Sequence, residues 1–74
     1  MQYTINPKTV TEFKMHEGPE VTFLVLEGKC IFETVYRNDK ISIEKSMNQS
    51  YTIKEKVEYR LQNTCNSPCI LLIM

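Results

Sequence analysis

The sequence has no alanine and no tryptophan, only two glycines, three prolines and one histidine, and no excess of charge of either sign. Each shortage excludes something. Without alanine, the best helix former, a helical bundle is disfavoured. Nine Lys+Arg against nine Asp+Glu leave a formal net charge of zero, which argues against a domain that grips nucleic acid through bulk positive charge. Two glycines are too few for a P-loop or a dinucleotide-binding turn, and no G-x-S-x-G elbow is present. No apolar run approaches the roughly 20 residues of a membrane span. The opening Met1-Gln2-Tyr3-Thr4 lacks the charged-then-apolar pattern of a secretory leader. These absences point to a soluble, intracellular chain with no membrane contact and no direct nucleic-acid contact.

What is present is strand chemistry. Val, Ile and Thr supply 19 of the 74 residues, joined by four Tyr and three Phe. The length predicts one small domain over residues 1–74, either whole or cut from a longer chain. A domain of this size buries only about 60% of its unfolded surface, so it is a candidate for a staple or a partner. Period-2 patterns and turn residues predict strands over Thr9–Met15, Val21–Glu27, Cys30–Arg37, Ile41–Glu44, Tyr51–Ile53, Val57–Asn63 and Cys69–Met74. His16-Glu17-Gly18-Pro19, Arg37-Asn38-Asp39-Lys40, Lys45–Gln49 and Thr64–Pro68 read as turns or loops. Seven to eight short strands at near-regular spacing predict an all-β sandwich or barrel.

Two strands break the alternation. Val21–Leu26 and Cys69–Met74 are apolar on both faces. A strand covered on one side should alternate, and a 74-residue chain has too little mass to cover a sheet twice. The second cover is expected from a second copy of the chain, the alternative being a flanking segment of a longer parent protein, with Phe23, Leu24, Val25, Leu26, Ile70, Leu71, Leu72, Ile73 and Met74 as the interface candidates. Tyr59, Leu61 and Phe32 are candidates to line an internal cavity.

Three cysteines make a poor disulfide framework. Cys30, Cys65 and Cys69 with His16 have the types for a Cys3His zinc site, but no glycine-flanked knuckle is present, and Cys30 and Cys69 read as small core residues. No metal site, catalytic residue or cofactor is expected.

The run Leu24-Val25-Leu26-Glu27-Gly28 resembles the end of the first cupin motif, and Asn63 matches the last position of the second. The resemblance implies a small, jelly-roll-like cupin barrel. Catalytic cupins place two His and a Glu in the first motif and a His in the second. Here those positions read His16, Gly18, Val21 (with Glu20 beside it) and Tyr59. Phe23–Cys30, Tyr51-Thr52-Ile53-Lys54 and Tyr59-Arg60-Leu61-Gln62-Asn63 further resemble the C-terminal cupin domains of the centromere protein C family, although Lys54, Lys56 and Val57 replace that pattern's Pro, Gly and first Asn. That resemblance implies a non-catalytic homodimerisation and protein-binding module of a chromatin-bound scaffold. It further implies a nuclear, kinetochore setting and a second protein on the barrel edge or mouth. The alternative reading is a small metal- or sugar-binding cupin like the C-terminal domain of mannose-6-phosphate isomerases. A third is a regulator that borrows the same pairing surface.

Overall fold

The computed structural model describes all residues 1–74 and contains no helix. Nine strands run β1 Gln2–Ile5, β2 Thr9–Val10, β3 Lys14–Met15, β4 Val21–Glu27, β5 Lys29–Tyr36, β6 Asp39–Ser46, β7 Ser50–Ile53, β8 Glu58–Asn63 and β9 Cys69–Ile73. They form two antiparallel sheets, one ordered β1-β9-β4-β7 and one ordered β2-β8-β5-β6, with β3 also on β8. The all-β reading holds and the count is nine. The expected strand over Thr9–Met15 is two short pieces, because Thr11 interrupts it. Its Oγ1 accepts the Leu61 N–H (2.9 Å) while its own N–H donates to the Leu61 carbonyl (2.9 Å), so one side chain replaces a rung of the ladder. β1 was not expected.

The strongest strand signals fall where they were read. β4 spans Val21–Glu27, and the β5–β6 hairpin turns on Arg37 and Asn38, both at positive φ (50° and 66°). Two consecutive positive φ values are the signature of the two-residue hairpin turn that matches strand twist. Strand β6 extends past the expected Glu44 to Ser46.

The inner faces meet in a core of ten buried apolar residues: Ile5, Phe23, Val25, Cys69 and Leu71 from one sheet, Cys30, Phe32, Tyr59 and Leu61 from the other, and Ile53 from the β7 edge. Phe32 sits at its centre, its ring 5.7 Å from Phe23 and 5.2 Å from Tyr51 between centroids. Such tilted aromatic pairs add to the area they bury.

Four of the crossings between sheets lie at one end of the sandwich: Ile5 to Thr9, Glu27 to Lys29, Ser46 to Ser50 and Asn63 to Cys69. The Glu27–Lys29 crossing is a single residue, Gly28, at φ +79°. A Cβ there would stand 2.7 Å from the Pro68 carbonyl oxygen, so only glycine lets the two crossings touch. Asn63 braces the same end. Its Nδ2 donates to the carbonyls of Ile5 (3.1 Å) and Ser67 (2.8 Å), and its Oδ1 accepts the Cys65 N–H (3.0 Å). All its polar capacity at this turn is used, as its place at a strand end leads one to expect.

The outer face of the five-stranded sheet carries the one covered charge. Glu33 in β5 accepts from Arg60 Nε at 2.7 Å, and Lys40 Nζ lies 3.4 Å from its other oxygen. Phe13 lids the group, its ring centroid 4.5 Å from the Arg60 guanidinium carbon and 5.8 Å from Lys40 Nζ. The Arg60 hydrogen bond, followed by the two cations' fields, holds the Glu33 carboxyl below its ordinary value of 4.5, against the opposing effect of burial.

Gly28→Ala is expected to cost about 3 kcal/mol, while Gly18→Ala (φ +92°, nothing within 4 Å of its Cβ) costs only the positive-φ strain of about 1–2 kcal/mol. Urea midpoints measure both, and equal losses would mean the Pro68 contact relaxes freely. Glu33→Gln should lose about 1 kcal/mol at pH 7. The folded protein holds the Glu33 proton less tightly than the unfolded chain, so the contribution is whole above pH 4.5 and fades as pH falls through the folded value. The gap between wild type and variant therefore closes in acid; a gap that stays constant down to pH 3 would refute the pairing.

Candidate functional site

Alternation assigns each residue of the four-stranded sheet to a face. Paired registers place Val21, Phe23 and Val25 of β4 inward with Ile53, Tyr51, Ile73 and Leu71, and place Thr22 and Leu24 outward. The outer face of this sheet reads Gln2 and Thr4 on β1, Ile70 and Leu72 on β9, Thr22 and Leu24 on β4, and Ser50 and Thr52 on β7. Leu24 lies directly opposite Leu72 at its centre. A hydroxyl pair, Thr22 and Thr52 (Oγ1–Oγ1 2.9 Å), closes one flank. In a chain with 24% charged residues, none of these eight positions is charged. Glu27 stands at the margin, where a bulge after Val25 shifts the register so that it faces Ile70. No strand of the chain lies over this face, and Leu24, Leu26, Ile70 and Leu72 are left half-buried.

This geometry corrects four of the nine interface candidates. Phe23, Val25 and Leu71 point into the core and are 3%, 0% and 0% exposed, so they cannot meet a partner. Ile73 also points inward. Leu24, Leu26, Ile70 and Leu72 remain, with Met74 past the strand end, exposed and donating its N–H to the Thr22 carbonyl. The sequence showed that both faces are apolar without showing which residues lie outside.

The second concavity opens at the end opposite the four crossings, between β1 and the β2–β3 segment. It has a volume of about 410 Å3, walled by Tyr3, Phe23, Leu61 and Ile73, with Tyr59 as well and Lys14 beside it. Tyr59 and Leu61 line it. Phe32, expected beside them, is not among the lining residues; it is fully buried one layer deeper. Lys14 Nζ lies 5.7 Å from the Tyr59 ring centroid, within cation–π range. Tyr3 escaped the sequence reading because β1 did.

His16 is close to the cavity but committed. Its Nε2 lies 2.6 Å from the Pro19 carbonyl, a contact in which the ring nitrogen must donate, and its ring meets Tyr59 edge-on at 6.3 Å. Cys30 and Cys69 are fully buried, as expected of core residues. Cys30 is pushed far up, first by donating to the Cys69 sulfur and then by burial. His16 and Cys30 belong to opposite ends of β8, beside Val57 and beyond Gln62, so the two cannot share a zinc ion with Cys65 and Cys69. No three metal-ligating side chains converge anywhere in the chain. The ion that catalytic cupins hold thus finds one committed imidazole and a phenol here, a donor set that does not fit it.

No protein-family model matches the sequence, and no curated protein matches it. Solved structures do. The structure of Drosophila melanogaster CENP-C bound to CAL1 superposes with a TM-score of 0.92 at 16% identity, over 99% of this chain and 60% of that one. The Schizosaccharomyces pombe Cnp3 cupin domain gives 0.81 at 11% identity, over 97% and 50%. An oxalate oxidase gives 0.90 at 10% identity, over 97% and 38%. The chain therefore spans at most 60% of the length of these relatives in shape. Centromeric and enzymatic cupins both superpose over 97% or more of this chain, which therefore has the fold of a small cupin barrel.

Proposed function

We propose that this domain is a non-catalytic pairing module, in which two copies join through the outer face of the four-stranded sheet and so bring two copies of a longer chain together. The observation that carries the reading is the absence of charge from the centre of that face, where Leu24, Leu26, Ile70 and Leu72 lie within a rim of Gln2, Thr4, Thr22, Ser50 and Thr52 and the carboxylate of Glu27 stands at the margin. Depletion of charge from an apolar centre within a polar rim distinguishes interface cores from ordinary surface. A centre without charge also meets its own copy without like-charge repulsion, which a two-fold contact favours. Pairing offsets the small core of a 74-residue domain, since whatever binds only the folded state stabilises it.

The likeness to centromeric cupins, one of them solved bound to another protein, supports a nuclear scaffold setting with a second protein on a barrel edge or mouth. In that setting, pairing raises the avidity of attached segments without new contacts of their own. The non-catalytic reading rests on the residues themselves. Gly18, Val21 and Tyr59 stand where the catalytic pattern needs two imidazoles and a carboxylate, and the remaining His16 is held by Pro19.

Native mass spectrometry should find twice the 8.7 kDa chain mass. Leu72→Glu and Leu24→Glu should each weaken the dimer about 100-fold or more, because each buries an unpaired carboxylate against its own copy. Val10→Glu, on the other sheet and 49% exposed, should leave the dimer unchanged. A monomeric wild type would overturn the reading, and dimers that survive both leucine changes would overturn the assigned face.

A further inference from the structure

The open-end cavity is built differently from the pairing face. Its walls are apolar (Phe23, Leu61 and Ile73), and three strands bring polar residues to its lining: Tyr59 from β8, Tyr3 from β1 and Lys14 from β3. Tyr59 is only 7% exposed, yet its hydroxyl has no hydrogen-bond partner in the protein and is not sealed off, since no buried polar atom is left unsatisfied. A phenol this far inside a fold ordinarily finds a partner. Here the open position is the cavity itself. Lys14 forms no ion pair, and its charge rests over the Tyr59 ring.

We infer that this cavity binds a small organic carboxylate with a flat apolar body. The body fits between Phe23, Leu61 and Ile73, and the carboxylate accepts from the Tyr59 and Tyr3 hydroxyls and meets the Lys14 ammonium. Two phenolic donors and one cation select an acceptor-only, anionic head over a neutral or cationic one. A volume of about 410 Å3 suits a one- or two-ring acid. Glu12 also borders the cavity, exposed at its rim, and opposes the anion from there. The site faces away from the Leu24–Leu72 face, so it stands or falls independently of pairing.

The test uses the purified domain and two probes, 2-naphthoate and the isosteric neutral 2-naphthamide, followed by isothermal titration and by amide shifts in NMR spectra. Naphthoate should saturate with a Kd below about 1 mM and bind about tenfold more tightly than the amide. Tyr59→Phe and Lys14→Gln, with folding checked by circular dichroism, should each weaken naphthoate about fivefold, Lys14→Gln should leave the amide unchanged, and Glu12→Gln should tighten naphthoate about twofold. The monomerising Leu72→Glu variant should bind naphthoate as wild type does, which separates failure of this site from failure of the pairing face. Equal affinity for acid and amide, indifference to Lys14→Gln, or no saturable binding would each overturn the site.

Discussion

Gly28 touching the Pro68 carbonyl is the contact on which the two-sheet arrangement turns. β4 belongs to one sheet and β5 to the other, and a single residue separates them. The chain has to reverse from one layer to the next within that residue, and a positive φ is the way to do so. Because Gly28 has no Cβ, the β8–β9 crossing settles directly on it. Asn63 then fixes that crossing from beneath and, through the Ile5 carbonyl, draws in the β1–β2 crossing as well. Nearby, the β6–β7 turn is tied to β4, with the Asn48 N–H donating to the Val25 carbonyl and the Val25 N–H donating to the Gln49 carbonyl. One end of the sandwich is therefore sewn shut by backbone and amide hydrogen bonds rather than by apolar mass.

Closing one end this tightly leaves the other end free to differ. There the crossings are looser loops, His16–Glu20 and Lys54–Val57, which meet through two backbone hydrogen bonds between His16 and Lys56 or Val57. Beside them the sheets part, and the cavity opens where Tyr3, Ile73, Tyr59 and Lys14 face one another. The division of labour follows from size. Ten core residues cannot fill a sandwich from end to end, so the space left over appears at the end with fewer ties.

How much of this could be read from the chain depended on how local each signal was. β4, its stop at Glu27-Gly28 and the Arg37-Asn38 turn are local, because alternation and positive-φ residues announce themselves within a few positions. The loss of metal ligands was equally legible, being a matter of residue identity at His16, Gly18, Val21 and Tyr59. β1 was not, because Gln2-Tyr3-Thr4-Ile5 is too short to show a period and becomes a strand only by pairing with β9, whose nearest register pair, Ile5 with Cys69, lies 64 residues apart in the chain. The Glu33–Arg60 pair spans 27 positions, and the sequence shows only a carboxylate in an apolar run and an arginine among alternating charges. The candidate interface was half legible for the same reason. Two apolar faces were visible, but which of them the partner sheet covers depends on the fold.

Charge is distributed unevenly between the sheet edges and the sheet faces, and the proposed pairing through a face follows that distribution. An open sandwich has free strand edges, and β6 is the longest, eight residues with one side unpaired. It carries Asp39 and Lys40 near one end and Glu44 and Lys45 near the other, so a second copy approaching this edge would meet charge at both ends. Charged edges, lysines above all, discourage strand addition. The flat face of the other sheet shows the opposite choice, with Leu24 against Leu72 and hydroxyls around them. A chain of zero net charge has no long-range repulsion to keep its copies apart, so where its charges stand decides where copies can meet. Many stand on the exposed edge and on the outer face of the five-stranded sheet, and the centre of the other sheet's outer face holds none.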